Sequence, residues 1–299
     1  MHTIHAKPLD TTPCTLGESP LWHAERNSLF WVDIEEKTLF EYPISSGVVR
    51  TLRQPRRISR VVRSLAPQRL IAAMEGGICR IDLDTQQSTW LCDIEKDQPS
   101  HRCNDGNVDS HGRLWVGTMC MHLTSRAGNL YRIAETGSLQ VMIAGVTIPN
   151  GLVWSEDQSI MYFIDTAESS VEAFRYDTNS GDIKHWKTVI RVPPQMGSPD
   201  GMAIDTAGKL WIAHYGGFGV YRWDPDTGMP LLRVAVPTPQ VTSCVFGGEN
   251  MDTLFITSAA QHLDDKTIEQ YPLSGATFYV QTGFKGHLAP ICSLPTATT

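Results

Sequence analysis

This chain of 299 residues lacks the features that mark several large classes of protein. Its seven cysteines include no C-x-x-C pair, its longest basic run is Arg56-Arg57, and no apolar stretch is long enough to cross a bilayer. Scattered cysteines in odd number favour reduced thiols over a disulfide framework. A net charge of −7 without a basic run argues against a nucleic-acid partner. No apolar leader core precedes Leu16, so we expect a soluble, cytoplasmic protein, monomeric or weakly self-associating.

Long segments of helical periodicity are also missing, and short strand-like segments repeat in their place. Each is centred on an apolar pair, follows a polar turn and precedes a second strand. The six segments begin at Leu29, Leu70, Leu114, Met161, Leu210 and Leu254, with spacings of 41, 44, 47, 49 and 44 residues. A period in the forties with several strands per unit is typical of propeller blades. We therefore predict an all-β, six-bladed β-propeller of four-stranded antiparallel blades, formed by residues 1–299 as a single domain.

A propeller must close its ring, and the ends of the chain suggest how. The last blade has no outer strand after residues 276–280, whereas the strand-like residues 3–7 precede the first blade and have no place in it. We predict that this N-terminal strand completes the last blade and covers its open edge. Residues 295–299 are predicted to be a disordered tail. Four tryptophans near the strands, Trp22, Trp115, Trp154 and Trp211, are expected to pack between blades.

Polar residues occupy one register of the repeat, ten to twelve residues before each apolar segment. The innermost strands of a propeller line its central channel, so residues in one register point at the same axis. All six carry side-chain oxygen, and they are Glu18, Ser59, Asn104, Asn150, Asp200 and either Thr242 or Ser243. Taken singly, each is explained by the preference of Asn, Asp and Ser for turns. Taken together, they predict a polar mouth at one end of the channel.

The acids of this ring favour a cation site. Glu18 and Asp200 would repel each other at close range unless a cation neutralised them, and the amide oxygen of Asn150 completes an all-oxygen set. Such donors suit a hard divalent ion such as Ca²⁺, Mg²⁺ or Mn²⁺. The set has no His or Cys, so it is not selective for zinc, although Zn²⁺ accepts carboxylates. One divalent cation, with Ca, Mg, Mn, Zn and Fe as the candidates, is therefore predicted.

Five motifs, in order along the chain, resemble the SMP-30/gluconolactonase/regucalcin family. They are LGESPLW at 16–22, RCNDG at 102–106, GTM at 117–119, IPNGL at 148–152 and SPDGM at 198–202. The resemblance spans the whole chain and implies a six-bladed propeller that hydrolyses lactones of sugar acids. It places the metal ligands of the family on Glu18, Asn150 and Asp200, the three residues that the register also selects.

The same resemblance implies roles in substrate binding and catalysis. Asp200 would be both ligand and general base, and Arg102 and Asn104 would bind the sugar-acid lactone. Because the lactone is uncharged, Arg102 is expected to donate hydrogen bonds without forming an ion pair. Several animal members carry a Glu after the Gly-Thr-Met turn that binds substrate hydroxyls. Here His122 takes that place, and a His can also hydrogen-bond a hydroxyl.

Other functions remain open at this stage. A metal-dependent esterase of the paraoxonase type would use the same fold, with catalytic His residues and a second, structural calcium. A calcium-binding regulatory or interaction propeller would need no catalysis, because fold alone does not determine function. A triad of Ser198, His214 and Asp205 is not favoured, because the sequence lacks the G-x-S-x-G elbow. We assign His214 a structural role at its strand end.

Overall fold

The computed structural model describes residues 1–294 and shows six antiparallel sheets arranged as the blades of a propeller. Residues 295–299, for which the sequence predicts a disordered tail, lie outside the residues that the structure describes. Each sheet begins with an inner strand, and the inner strands contact one another in sequence until the sixth meets the first. The predicted fold class is therefore confirmed.

The first three blades each consist of four consecutive strands. Blade one contains β3 (Gly17–His23), β4 (Ser28–Asp33), β5 (Thr38–Pro43) and β6 (Arg50–Arg53). Blade two contains β7 (Ile58–Ser64), β8 (Arg69–Met74), β9 (Gly77–Asp82) and β10 (Ser88–Asp93). Blade three contains β11 (His101–Val108), β12 (Leu114–Cys120), β13 (Gly128–Ile133) and β14 (Leu139–Val146).

Blades four and five follow the same plan, and blade six borrows its fourth strand. Blade four contains β15 (Pro149–Trp154), β16 (Ile160–Asp165), β17 (Ser170–Tyr176) and β18 (Ile183–Arg191). Blade five contains β19 (Ser198–Ile204), β20 (Leu210–Tyr215), β21 (Gly219–Asp224) and β22 (Met229–Ala235). Blade six contains β23 (Val241–Gly247), β24 (Thr253–Ser258), β25 (Thr277–Gln281) and the N-terminal β2 (Lys7–Asp10).

Helical structure is confined to short pieces between strands. The one α-helix of the described chain, α1 (Asp265–Gln270), lies between β24 and β25. Three 3₁₀ turns cover Ala24–Arg26, Thr166–Glu168 and Pro194–Met196. No helix within residues 1–294 has the length and apolar character needed to span a membrane.

The N-terminal strand closes the last blade, as predicted, but with different residues. Only Lys7 of the predicted segment 3–7 pairs there, and β2 continues to Asp10 antiparallel to β25. The preceding β1 (His2–His5) instead adds to the outer edge of blade five, parallel to β22. The chain crosses between the two blades at Ala6, whose N–H still donates to Ala235 O at 3.0 Å. The outer edges of blades five and six would otherwise be unpaired, and the first ten residues of the chain cover both edges.

The C-terminal residues cover the end of the channel opposite to the starts of the inner strands. A short strand, β26 (Ile291–Cys292), pairs parallel to β7, and the Arg63 guanidinium donates to Ala289 O at 2.6 Å. A cavity of about 340 Å³ lies above this segment, lined by His287, Leu288 and the far ends of the inner strands. Residues 287–290 therefore border one end of the channel, and the starts of the inner strands border the cavity at its other end.

Aromatic side chains join neighbouring blades. Trp22 of blade one stacks on Phe255 of blade six with ring centroids 5.6 Å apart. Trp115 meets Trp154 edge-on at 5.8 Å, and Trp211 meets Phe246 at 5.3 Å. The predicted inter-blade packing is thus observed for all four tryptophans. All seven cysteines are free.

Removing residues 1–10 tests the closure of the ring. The truncated chain loses the pairing of β2 with β25 and of β1 with β22. We expect a loss of about 3–5 kcal/mol of unfolding free energy, which lowers the melting temperature by roughly 5–10 °C. Removing residues 1–5 alone, which deletes only the mostly exposed β1, is the control and is expected to cost less than half as much. Equal melting temperatures for both truncations in calorimetry would contradict this role of β2.

Candidate active site

Every inner strand carries an irregularity at the same place. The pairing of each inner strand with its neighbour shifts register there, as in a β-bulge. Bulges redirect side chains and are common beside functional sites. Five residues of the predicted ring lie within these shifts, namely Ser59, Asn104, Asn150, Asp200 and Thr242. The sixth, Glu18, is the last paired residue before the shift in blade one. Thr242, rather than Ser243, is the bulged residue of blade six.

Four of the six ring residues line one cavity, and two do not. Glu18, Asn104, Asn150 and Asp200 lie in the wall of a cavity of about 490 Å³ at the open mouth of the channel, together with Arg102. The hydroxyls of Ser59 and Thr242 instead donate to backbone carbonyls, those of Ala73 and Gly17. A short hydroxyl satisfies its hydrogen bond on the nearest strand, so only the longer acid and amide side chains reach the cavity.

The two acids of this cavity are buried without a counter-ion. Glu18 and Asp200 are 8% and 7% exposed. Burial and the neighbouring Asp105 carboxylate raise the pKa of Glu18 to about 8. Burial and the charge of Glu18 hold the pKa of Asp200 well above its ordinary value. Asp105 itself pairs with Arg60 at 3.0 Å, but neither cavity acid forms an ion pair with any described basic residue.

This donor set fits a hard cation with oxygen ligands. Across residues 1–294, no group of three or more His, Cys, Asp and Glu side chains is arranged to bind a metal ion. The predicted set differs from such groups because its third member, Asn150, is an amide. Two carboxylates that repel each other and one amide oxygen match the ligand chemistry of Ca²⁺, Mg²⁺ or Mn²⁺. The cation and its identity stay a prediction.

A hydrogen-bond chain fixes the orientation of the Asn150 amide. Thr166 Oγ1 donates its single proton to Pro199 O at 2.7 Å, so it accepts from Asn150 Nδ2 at 2.7 Å. The amide nitrogen therefore faces Thr166, and the amide oxygen faces the other way. There Oδ1 accepts from Asn104 Nδ2 at 3.0 Å and keeps one lone pair for another partner.

Asn104 and Arg102 continue this chain across the third blade. Asn104 Nδ2 also donates to Pro149 O at 2.8 Å, and its Oδ1 accepts from Arg102 Nη1 at 2.5 Å. Asn104 thus has both of its N–H groups occupied and serves to hold Asn150 and Arg102 in place. The other Arg102 contact runs from Nη1 to Cys103 O, at 2.9 Å. Within residues 1–294 its Nε and Nη2 have no partner and are not sealed from the cavity.

Two acids at strand ends fix the loops that lead to Glu18 and Asn150. Asp33, at the end of β4, accepts the N–H groups of Thr15 and Leu16 at 2.7 and 3.1 Å. Asp165, at the end of β16, accepts those of Thr147 and Ile148, both at 2.9 Å. The two equivalent contacts hold the starts of β3 and β15 on their own blades. The strand starts that carry Glu18 and Asn150 are therefore anchored by hydrogen bonds to the ends of the neighbouring strands.

His214 occupies the same register in blade five and is structural, as predicted. Trp223 Nε1 donates to its Nε2 at 3.2 Å, so its Nδ1 carries the proton and donates to Met196 O at 2.9 Å. Burial lowers the pKa of this ring to about 4. Asp205 lies elsewhere and accepts from Trp211 and Arg222. The residues of the unfavoured triad therefore do not interact.

The structure does not bring His122 to the cavity. His122 is exposed on the loop after β12, and its neighbours Met121 and Leu123 line the cavity in its place. Leu123 adopts a left-handed conformation, with φ of 55°, in the loop that follows β12. The substrate contact that the family resemblance implies for His122 stays a prediction.

Several cavity residues were missed by the sequence analysis. Glu35 and Arg57 form one edge, and Tyr215, Gln261 and His262 form the opposite edge. All five lie outside the inner strands that the register argument followed. The available signal was topological: in an antiparallel pair the end of the second strand lies beside the start of the first. Residues just after β4 and at the end of β20 should therefore reach the same mouth.

Comparison with known proteins gives a consistent result. A sequence model of the SMP-30/Gluconolactonase/LRE-like region matches residues 16–260. Regucalcin from Bos taurus is 36% identical over 279 residues, covering 91% of this chain and 93% of the relative. A Bacillus subtilis (strain 168) protein provisionally named sugar lactone lactonase YvrE is 32% identical over 276 residues, covering 92% and 94%. A crystal structure of a calcium-binding protein, regucalcin, from Agrobacterium tumefaciens superimposes with a TM-score of 0.93, 31% identity and coverage of 97% and 98%.

Thr166 offers a test of the hydrogen-bond chain. Thr166→Val removes the hydroxyl that orients the Asn150 amide, so we expect cation affinity to fall by about 10–100-fold, as for other residues that support a metal ligand. Thr166→Ser keeps the hydroxyl and is expected to retain the affinity within a few-fold. Calorimetric titration of Ca²⁺ or Mn²⁺ into both variants measures the difference. Equal affinities for the Val and Ser variants would show that the amide needs no such support.

The raised pKa values of the two cavity acids predict how the stability of the metal-free protein depends on pH. In the folded state these groups hold protons that the unfolded chain releases above about pH 4.5. Unfolding free energy should therefore fall as the pH rises from 5 to 8, where Glu18 loses its proton. Glu18→Gln should weaken this trend in denaturant titrations. An unchanged slope in that variant would mean that Glu18 keeps an ordinary pKa.

Proposed function

Because this chain belongs to the SMP-30/Gluconolactonase/LRE-like family, we propose that it hydrolyses the lactone of a sugar acid, an aldonolactone of pentono or hexono type, to the free acid with the aid of one divalent cation. The observation that supports the cation is the pair of buried acids, Glu18 and Asp200, without a counter-ion at the mouth of the channel. The open donors of Arg102 support a substrate rich in oxygen atoms.

Glu18, Asn150 and Asp200 would hold the cation. When bound, a divalent cation supplies Lewis acidity, which polarises a carbonyl and lowers the pKa of water. Its charge would also relieve the repulsion between Glu18 and Asp200, which burial makes unfavourable. The ion is proposed only as one of Ca, Mg, Mn, Zn or Fe, with oxygen-preferring ions favoured by the ligands.

Asp200 is the proposed general base. Water attacks the lactone carbonyl carbon while the Asp200 carboxylate accepts a proton from it. The bond from that carbon to the ring oxygen then breaks, the ring oxygen takes the proton from Asp200 and becomes a hydroxyl, and the carbonyl carbon becomes that of the carboxylic acid. Asp200 is thereby returned to its carboxylate form. Burial alone disfavours the charged form of Asp200, and the charge of a bound cation would keep it in the carboxylate form that a base requires.

Arg102 and Asn104 are proposed to place the substrate. Arg102 donates from Nε and Nη2 to oxygen atoms of the lactone, and no ion pair is needed. Asn104 holds Arg102 Nη1 and the Asn150 amide and so joins the substrate-binding and cation-binding parts of the site. His122 has no part in this proposal, because it is exposed and does not line the cavity.

A second candidate is calcium binding without catalysis. It is favoured by the names of the relatives, since regucalcins match this chain and one of them is described as calcium-binding. The two candidates share the cation but differ in whether Asp200 acts on a substrate.

A panel of aldonolactones in a pH-stat assay separates these candidates. We expect acid release from at least one pentono- or hexono-lactone, its loss in EDTA, and its return when Ca²⁺, Mg²⁺, Mn²⁺, Zn²⁺ or Fe²⁺ is added to the stripped protein. Calcium binding in calorimetry without acid release from any lactone would leave the non-catalytic candidate. Activity that survives complete removal of metal would contradict the proposed use of the cation.

Asp200→Asn tests the proposed base. The amide keeps the shape of the carboxylate but cannot accept the proton, so kcat should fall by about 10²–10⁴-fold. Circular dichroism should show an intact fold. Asp264→Asn, which changes an exposed acid outside the cavity, is the control and should retain activity. Turnover by Asp200→Asn within tenfold of the unmodified protein would exclude Asp200 as the base.

A further inference from the structure

Recognition of a sugar lactone needs a hydrogen-bond acceptor as well as donors. The ring hydroxyls of such a substrate each carry a proton to donate. In the cavity, Arg102 offers donors only, Asn104 has its amide oxygen occupied by Arg102, and Glu18 and Asp200 are assigned to the cation. The exposed His122 is not available. An acceptor for a hydroxyl must therefore come from another part of the wall.

Glu35 lines the cavity and holds one carboxylate oxygen open. It lies two residues after β4, beside the start of β3. Arg57 Nε and Nη2 both reach Glu35 Oε2, each at 3.0 Å. In the described chain the other oxygen, Oε1, has no hydrogen-bond partner, and the side chain is 25% exposed. Arg57 therefore fixes the carboxylate through one oxygen and leaves the second for a ligand.

The position of Glu35 complements that of Arg102. Both side chains border the same cavity, and the Glu35 charge opposes the effect of burial, which lowers the pKa of Arg102. Glu35 and Arg102 are close enough for their charges to interact, but no direct ion pair joins them among the described residues. The residue with an open acceptor and the residue with two open donors thus border the same cavity. That arrangement matches adjacent hydroxyls of a sugar ring, one donating and one accepting.

We propose that Glu35 is a specificity-determining residue, whose Oε1 accepts a hydrogen bond from a hydroxyl of the lactone beside the oxygen bound by Arg102. This inference rests on the proposed lactonase function and assigns a further contact of the same site. Arg57 acts as a positioning residue, because it holds Glu35 through Oε2 and leaves Oε1 free.

Glu75 provides a matched control within the same ion-pair network. Its carboxylate binds the same guanidinium, with Arg57 Nη1 at 3.3 Å from Glu75 Oε2, and its side chain is 31% exposed. Unlike Glu35, it does not border the cavity. A purely structural effect of losing an Arg57 ion pair should therefore appear in both Glu35→Ala and Glu75→Ala. A substrate contact should be lost only in Glu35→Ala.

The test combines these variants with a neutral hexonolactone and its series of monodeoxy analogues. With the parent lactone, we expect Glu35→Ala to lower kcat/KM about tenfold, mainly through KM, as for a hydrogen bond to a charged group at a partly exposed site. Glu75→Ala should stay within twofold. For one deoxy analogue, Glu35→Ala should cost nothing further, because the hydroxyl that it contacts is already missing. Calorimetric affinity for the cation should be unchanged in both variants.

Two outcomes would overturn this role of Glu35. Equal losses in Glu35→Ala and Glu75→Ala would assign the effect to the ion-pair network. A tenfold loss that persists with every deoxy analogue would show that Glu35 contacts no hydroxyl. Absence of activity in the unmodified protein, by contrast, would contradict the proposed function itself and is seen before any variant is compared.

Discussion

The repulsion between two buried carboxylates is the constraint on which the rest of this site depends. Glu18 and Asp200 come from blades one and five, yet the ring closure brings both, almost fully buried, to the wall of one cavity. Each carboxylate raises the free energy needed to ionise the other, and the Asp105 carboxylate raises it further. Acids in this arrangement are stable at neutral pH only as protonated groups or with a cation between them. Both side chains are held on inner strands, where they are less than one tenth exposed to solvent.

The fold imposes this arrangement through repeated local features. Each inner strand has a bulge at its start, which turns one side chain toward the axis. Asp33 and Asp165 hold the backbone just before β3 and β15, so the strands bearing Glu18 and Asn150 begin at fixed points. The chain from Arg102 through Asn104 and Asn150 to Thr166 then spans blades three and four and ends on Pro199 O, next to Asp200. Donor and acceptor are defined at each step of this network.

Much of the fold and of the site could be predicted from the sequence, because residues at the same position of each repeat of a propeller point toward the same central axis. The repeat of 41 to 49 residues was enough for the number of blades, and a shared register selected Glu18, Asn150 and Asp200. The loops do not follow the repeat, and there the sequence analysis was limited. His122 lies exposed on the loop after β12 and does not line the cavity, and Glu35 reaches the cavity from a loop outside the inner strands. The N-terminal segment likewise pairs with two blades because open edges, rather than residue pattern, determine where it binds.

Anomalous diffraction from crystals of the protein loaded with Mn²⁺ tests the central claim most directly. The account predicts one strong peak at the open mouth of the channel, with carboxylate oxygens of Glu18 and Asp200 and Oδ1 of Asn150 within about 2.0–2.6 Å. A fully occupied ion elsewhere on the propeller, or no ion at this mouth at saturating Mn²⁺, would contradict it.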